Sequence, residues 1–428
     1  MTRRNLIIIA IVLIFLFVLI VVAKDNSVSF TLNAENATKH QEEKKEEKDP
    51  LLQKLKNPPE VVKAIYATAF SAGNSERVDG FIDLINSTEL NAIVIDIKDY
   101  TGVVSYKPDV EAVVEYEAFE NRIPDIDALI RKFHKNGIYL IARISTFQDN
   151  KLANARQDLA IQSKSKGGIW GDRKDVHWMD TSSKEVWDYN IAIAKDILDR
   201  GFDEVNFDYI RFATDGNTDD IAYPFYDEVT PKRDILKSFF KYVRESLPNA
   251  MISADLFGEV AYARRDIGIG QVLEDAMPYI NAIAPMTYPS HYADGFIGYD
   301  NPAEYPYEVM KYSIDEALAR LNLVYTPTPS TPETATASAT PQVPAQVRSF
   351  PVQPTMRPWI QDFDLGADYD AAKVRAQIQA IEDSAAKYSD CQTLTEKRAC
   401  SKYVSGWMLW NASNRYTKEA LRSHEDES

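Results

Sequence analysis

The chain has 428 residues, 45% of them hydrophobic and 11% aromatic, with 48 basic and 64 acidic side chains and a net charge of −16. That length and apolar content suit one large globular domain with extensions and exclude a wholly disordered chain. The acidic balance argues against nucleic acid as a partner, since nucleic-acid binders need a basic footprint.

In chain order, Arg3 and Arg4 precede an uninterrupted apolar run over residues 6–23. Residues 1–24 read as a transmembrane anchor, with the arginines held in the cytoplasm and the remainder outside the cell membrane. The alternative is a cleaved signal peptide ending near Val21-Val22-Ala23, which gives a secreted protein. Residues 25–59 read as a polar tether carrying the charge run 42–49.

Residues 60–417 read as a (β/α)8 TIM barrel, class α/β. Eight short apolar segments ending in polar residues fall at 63–70, 92–99, 139–146, 204–210, 251–258, 281–289, 357–365 and 404–412. Helical spacers fall at 75–87, 123–136, 184–200, 231–247, 306–323 and 370–388. This rhythm brings the carboxyl ends of all eight strands to one face. The spacer 147–180 exceeds a helix and reads as a loop subdomain over the barrel mouth. Residues 326–354, rich in Thr, Pro, Ser and Ala, read as a disordered insertion within the barrel, and 418–428 as a polar tail. Cys391 and Cys400 either close a short loop in an oxidising compartment or remain two thiols.

Alternation sorts the strand side chains. Asp96 and Lys98, Arg143, Asn206 and Asp208, and Ser253 and Asp255 fall on barrel-facing sets near the strand ends, where an active site belongs. Asp208 and Asp255, on adjacent strands, then share one space. Carboxylates about 5 Å apart serve a retaining glycosidase as nucleophile and acid/base, with Arg143 keeping the nucleophile ionised. The bland reading of the same residues is an internal ion network closing the barrel top. Glu259, Asp362 and Asp364 are further candidates for acid or transition-state stabiliser. Arg211, Tyr288, His291 and Trp410 are candidate sugar contacts, with Asp96, Lys98, Arg143 and Asn206 beside them; Tyr66 is a further candidate for a stacking wall.

The five histidines show no paired metal-ligand spacing, and no phosphate cradle or Gly-x-Ser-x-Gly elbow occurs. No metal and no cofactor is expected.

The segments 63–70, 92–102, 206–212 (Asn-Phe-Asp-Tyr-Ile-Arg-Phe), 253–258, 284–289 (Ala-Pro-Met-Thr-Tyr-Pro) and 406–411 resemble a bacterial family of glycoside-hydrolase barrels catalogued as a domain of unknown function and similar to α-amylase-type enzymes. The resemblance covers about 63–416. It implies a nucleophile at Asp208 and an acid at Asp255 or Glu259; amylase-type enzymes use glutamate there, from which Asp255 departs. The expectation is a membrane-anchored, extracytoplasmic glycoside hydrolase acting on an oligo- or polysaccharide at the cell envelope. Two rivals are a non-catalytic carbohydrate-binding barrel and a metal-dependent hydrolase using Asp96, Asp208 and Asp255 as oxygen ligands.

Overall fold

The computed structural model describes residues 49–325, 352–388 and 402–424. Eight parallel strands close a barrel: β1 Val62–Ala67, β2 Ala92–Lys98, β3 Tyr139–Ser145, β4 Glu204–Asp208, β5 Met251–Phe257, β6 Ala282–Met286, β7 Trp359–Gln361 and β8 Gly406–Trp410. Each pairs with its chain-order neighbours, and β8 returns to β1 with Gly406 opposite Val62. The seam between β6 and β7 is narrowest, resting on Trp359 opposite Met286. The expected TIM barrel is the fold.

Strand ends move where local chemistry intervenes. β1 stops at Ala67 because Thr68 caps the short helix Ala69–Ala72, its hydroxyl accepting from the Ser71 N–H at 3.2 Å. The seventh strand is divided. Pro358 has no N–H to give a neighbour, so Thr355–Met356 pairs with the base of β6 while Trp359–Gln361 forms β7 proper.

Helices α1 Ser75–Asn86, α2 Ile126–Lys135, α3 Lys184–Arg200, α4 Lys232–Ser246, α5 Leu273–Ala276, α6 Pro306–Tyr325 and α7 Ala371–Ala386 lie between the strands in sequence. α3 has the expected bounds. α2 starts three residues later than its spacing suggests, because Asp125 caps it by accepting from the Ala128 N–H at 2.8 Å. Apolar strand residues such as Ile93, Ile95, Leu140 and Val205 pack with the helices, whereas Val62, Ala64, Val94, Ile141, Ala284 and Met408 fill the barrel. At its base Arg357 grips both oxygens of Glu204 at 2.8 and 2.9 Å, and Tyr139 donates to the same carboxylate.

Both borders of the barrel extend further than the sequence suggests. Residues 49–55, expected in the tether, lie against the base: Leu55 N–H donates to Asp203 at 2.6 Å and the Leu51 carbonyl meets His134 at 2.9 Å. Gly201, with φ +124°, ends α3 there; a Cβ on it would stand 2.8 Å from the Leu52 backbone. After β8, among the described residues, a single turn Lys418–Ala420 stands where an eighth helix was due. Ala420 and Leu421 are buried and Arg422 N–H donates to Glu89, so this stretch is not a free tail.

In the loop region 147–180, Gln162–Ser163 pairs antiparallel with Ile221–Ala222 from the loop after β4, a pairing the sequence did not suggest. Residues 1–48, 326–351, Cys391, Cys400 and 425–428 lie outside the described residues. Among those described, no helix is long and apolar enough to cross a membrane.

Candidate active site

Arg143, on β3, is the hub. Its register opposite Asp96 on β2 and Asn206 on β4 places the guanidinium among the inward acids of both neighbours. One nitrogen, Nη1, donates to Asp96 at 2.5 Å, Nη2 donates to Asp208, and Nε faces Asp255 Oδ2 at 3.7 Å. Burial works against the arginine's charge, but Asp208 and then Asp96 outweigh it and hold the guanidinium firmly protonated. Asp96 also accepts from the Tyr66 hydroxyl. Burial raises its carboxyl against the pull of Arg143 and Tyr66; through its contact with Nη1 it holds the Arg143 guanidinium in place.

Asp255 is only 1% exposed, beside the hub. Its Oδ1 accepts from Asn206 Nδ2 at 2.9 Å and from the Trp359 indole at 2.8 Å. Burial, then the Asp208 charge, push its pKa up to about 8 against the opposing pull of Arg143, Asn206 and Trp359. With Oδ1 committed as a double acceptor, the proton belongs on Oδ2. Two carboxyls on neighbouring strands therefore stand in different environments: Asp208 is ion-paired with Arg143, whereas Asp255 is held as the acid form at pH 7.

The turn after β4 is strained. Tyr209 has φ +52°, a left-handed conformation that a bulky side chain rarely adopts. The conformation turns its N–H back onto Asp208 Oδ1 at 2.5 Å. Arg211 follows, held by Phe212 O, Thr214 Oγ1 and Asp215, with its guanidinium 4.6 Å from the Trp178 ring. The loop region over the mouth thus fixes a cation that the β4 turn delivers.

Above these groups opens a cavity of about 570 Å³. Asp208, Asp255, Arg143, Arg211, Glu259, Tyr288, His291 and Trp410, all expected at the site, line it together. Glu259 reaches it from the turn Gly258–Ala261 and is exposed. Burial lowers the His291 pKa, leaving its imidazole neutral at pH 7. Tyr66 stacks on Trp410 at 4.0 Å and so stiffens the wall.

Several expected contacts have other positions. Lys98 is a correction: two residues of β2, Asp96 and Lys98, oppose consecutive residues of β3, and this bulge reverses the face of Lys98. Its ammonium is fully buried against Asp149 at 2.6 Å, Asn190 of α3 at 2.9 Å and the Ser145 carbonyl, away from the cavity. Asn206 is buried and spends its amide on Ser253 and Asp255. Asp362 and Asp364 line a neighbouring hollow, and both Asp362 oxygens are taken by Thr417. For the metal-dependent reading, the space where a cation would bridge Asp96, Asp208 and Asp255 holds the Arg143 guanidinium. Among the described residues no group of three acidic, His or Cys side chains is arranged to hold a metal ion.

The cavity also has walls that the sequence did not single out: Trp359, Phe257, Tyr262, Tyr292, Phe296 and Gln271. Trp359 had a usable signal, being an inward position of the seventh strand. The aromatics of the loops after β5 and β6 had none beyond their frequency.

Residues 64–416 match a protein family described as "Putative glycosyl hydrolase domain". No curated protein matches the chain. Among solved structures, the chain is 38% identical to a hypothetical protein from Ruminiclostridium thermocellum ATCC 27405, covering 45% of this chain and 96% of that one, with a TM-score of 0.42. It is 13% identical to α-L-fucosidase isoenzyme 2 from Paenibacillus thiaminolyticus, over 84% of this chain and 48% of that one, with a TM-score of 0.48. For the GH36 α-galactosidase AgaB from Geobacillus stearothermophilus the values are 11%, 83%, 39% and 0.44. The chain spans less than half the length of either of these two glycosidases.

Proposed function

The chain belongs to this glycosyl hydrolase domain family, and from that premise we propose that its barrel is a retaining glycoside hydrolase acting on an oligo- or polysaccharide. The observation that carries the reading is the pair Asp208 and Asp255, joined through Arg143 within one sugar-sized cavity, Asp208 ion-paired and Asp255 raised as an acid. Contact with a single guanidinium favours the closer carboxylate spacing that retaining enzymes use.

In the first step an Asp208 oxygen bonds to the anomeric carbon while the glycosidic C–O bond breaks, and Asp255 gives its Oδ2 proton to the leaving oxygen. In the second, water attacks the same carbon, Asp255 takes the water proton, and Asp208 leaves as carboxylate. Arg143 pairs with Asp208 in the free enzyme, and the Tyr209 N–H orients it. The test is a glycan panel followed by reducing-end release, with mass spectrometry for a sugar on Asp208 after treatment with fluorinated glycosides. Glycan binding with neither sugar release nor labelling would leave only a binding barrel.

The acid assignment predicts a pH profile. The working form of Asp255 is protonated, so activity of the free enzyme falls as pH rises through about 8, by about tenfold per unit. Trp359→Phe removes a donor to the charged form of Asp255, which raises its pKa; the alkaline limb should move up by about one unit. Glu259→Gln should leave that limb in place. Loss of the limb in Glu259→Gln, with Asp255→Asn still active, would transfer the acid role to Glu259.

We place the domain outside the cytoplasmic membrane, anchored through residues 1–24, on the strength of Arg3-Arg4 followed by the apolar run 6–23. Protease added to intact cells is then expected to digest the barrel; protection until lysis would place it inside.

A further inference from the structure

We propose that the hollow beside the active-site cavity is a second sugar-binding lobe, so that the substrate is an oligosaccharide held across both lobes and not a single terminal sugar. The proposal rests on the glycoside hydrolase reading and deepens it. The two hollows measure about 570 and 580 Å³, each within the range of a ligand site. They share a wall of three aromatic side chains, Tyr288, His291 and Trp410.

That wall has the chemistry of sugar recognition. Each ring combines apolar surface with a polar atom at its edge. Among the described residues, the Tyr288 hydroxyl and the Trp410 indole N–H have no hydrogen-bond partner, and His291 bonds only through Nδ1, to Ser290 at 3.0 Å. Phe363 braces the wall from the second hollow, edge-on to Tyr288 at 5.7 Å and to His291 at 6.2 Å between ring centres.

The floors differ. The first lobe holds the paired carboxyls Asp208 and Asp255. In the second, Asp362 has both oxygens committed to Thr417 and acts as framework. Asp364, at the exposed rim, accepts from the Tyr369 N–H through Oδ1 at 2.7 Å and keeps Oδ2 for a ligand. A carboxylate oxygen accepts sugar hydroxyls, and exposed Leu365 beside it covers a ring face. The second lobe can therefore hold sugar units but not cleave them; the scissile bond sits in the first.

The test titrates ladders of one to six units of α-1,4-linked glucose, β-1,4-linked glucose and β-1,4-linked N-acetylglucosamine into the full chain carrying Asp208→Asn. For at least one ladder, affinity should climb tenfold or more between one and four units, and Asp364→Ala in the same background should remove about tenfold of that gain, the weight of a hydrogen bond to a charged group. Equal affinity for short and long ligands, binding by none of the ladders, or a length gain that survives both Asp364→Ala and Leu365→Ala overturns the second lobe. Length-dependent binding of a ladder that the unmodified chain never hydrolyses supports the lobe and counts against the hydrolase reading instead.

Discussion

Asp208→Ala is expected to lower kcat by about 10⁴- to 10⁶-fold, the scale on which removal of a nucleophile acts. The side chain stands at the end of β4, paired with Arg143 and oriented by the Tyr209 N–H, and it lines the cavity at 5% exposure. Its loss has a second effect through charge. The Asp208 carboxylate is, after burial, the main cause that raises Asp255, so the variant's Asp255 pKa falls toward the ordinary carboxylate range and the acid is depleted at pH 7. Azide supplied with an aryl glycoside should restore part of the rate in Asp208→Ala and yield a glycosyl azide, because the anion occupies the vacated position and the good leaving group needs no acid. Undiminished sugar release by the variant would remove Asp208 from the chemistry, and unrescued loss would point to a structural role.

Arg143→Met should cost about 3–5 kcal/mol of stability at pH 7, the price of a buried ion cluster that has lost its only central cation. Asp96 and Asp208 would then be buried with no guanidinium between them, and Asp255 would lose the charge that opposes its burial. Methionine keeps much of the stem volume, so packing contributes little to the loss. The sign with pH separates charge from packing. Carboxyls whose folded pKa is raised destabilise the fold above their unfolded value near 3.9, and the penalty fades as pH falls from the raised value toward it. The difference between variant and parent in urea unfolding should therefore shrink from pH 7 to pH 4. A loss that stays constant over that range would assign the role of Arg143 to packing alone.

The two variants act on opposite sides of one contact, and a double-variant cycle between them would be strongly non-additive. The contact also accounts for the position of Tyr209. A left-handed tyrosine is tolerated because the ion pair, the N–H bond to Asp208 and the packing of its ring against Trp178 fix the turn from several directions.

Much of this was legible in the residues alone. Alternation in Asn206-Phe207-Asp208 and Ser253-Ala254-Asp255 puts both carboxyls inside a barrel, because side-chain facing in a regular strand depends only on the chain's own period. The same holds for α3, whose apolar stripe and terminal Gly201 specify its span. Lys98 fails that logic because a bulge is a property of two strands together, and β3 decides where β2 slips. Asp255's protonation fails it for a related reason: the state comes from desolvation and a neighbour's charge, set against the pull of Arg143 and of a tryptophan 104 positions away. Local periodicity thus specified the barrel and its acidic mouth. That Asp255 is held as the acid, and that Arg143 rather than a metal ion joins the carboxyls, was decided by long-range approach, since electrostatic energy depends on distances that only the closed barrel sets.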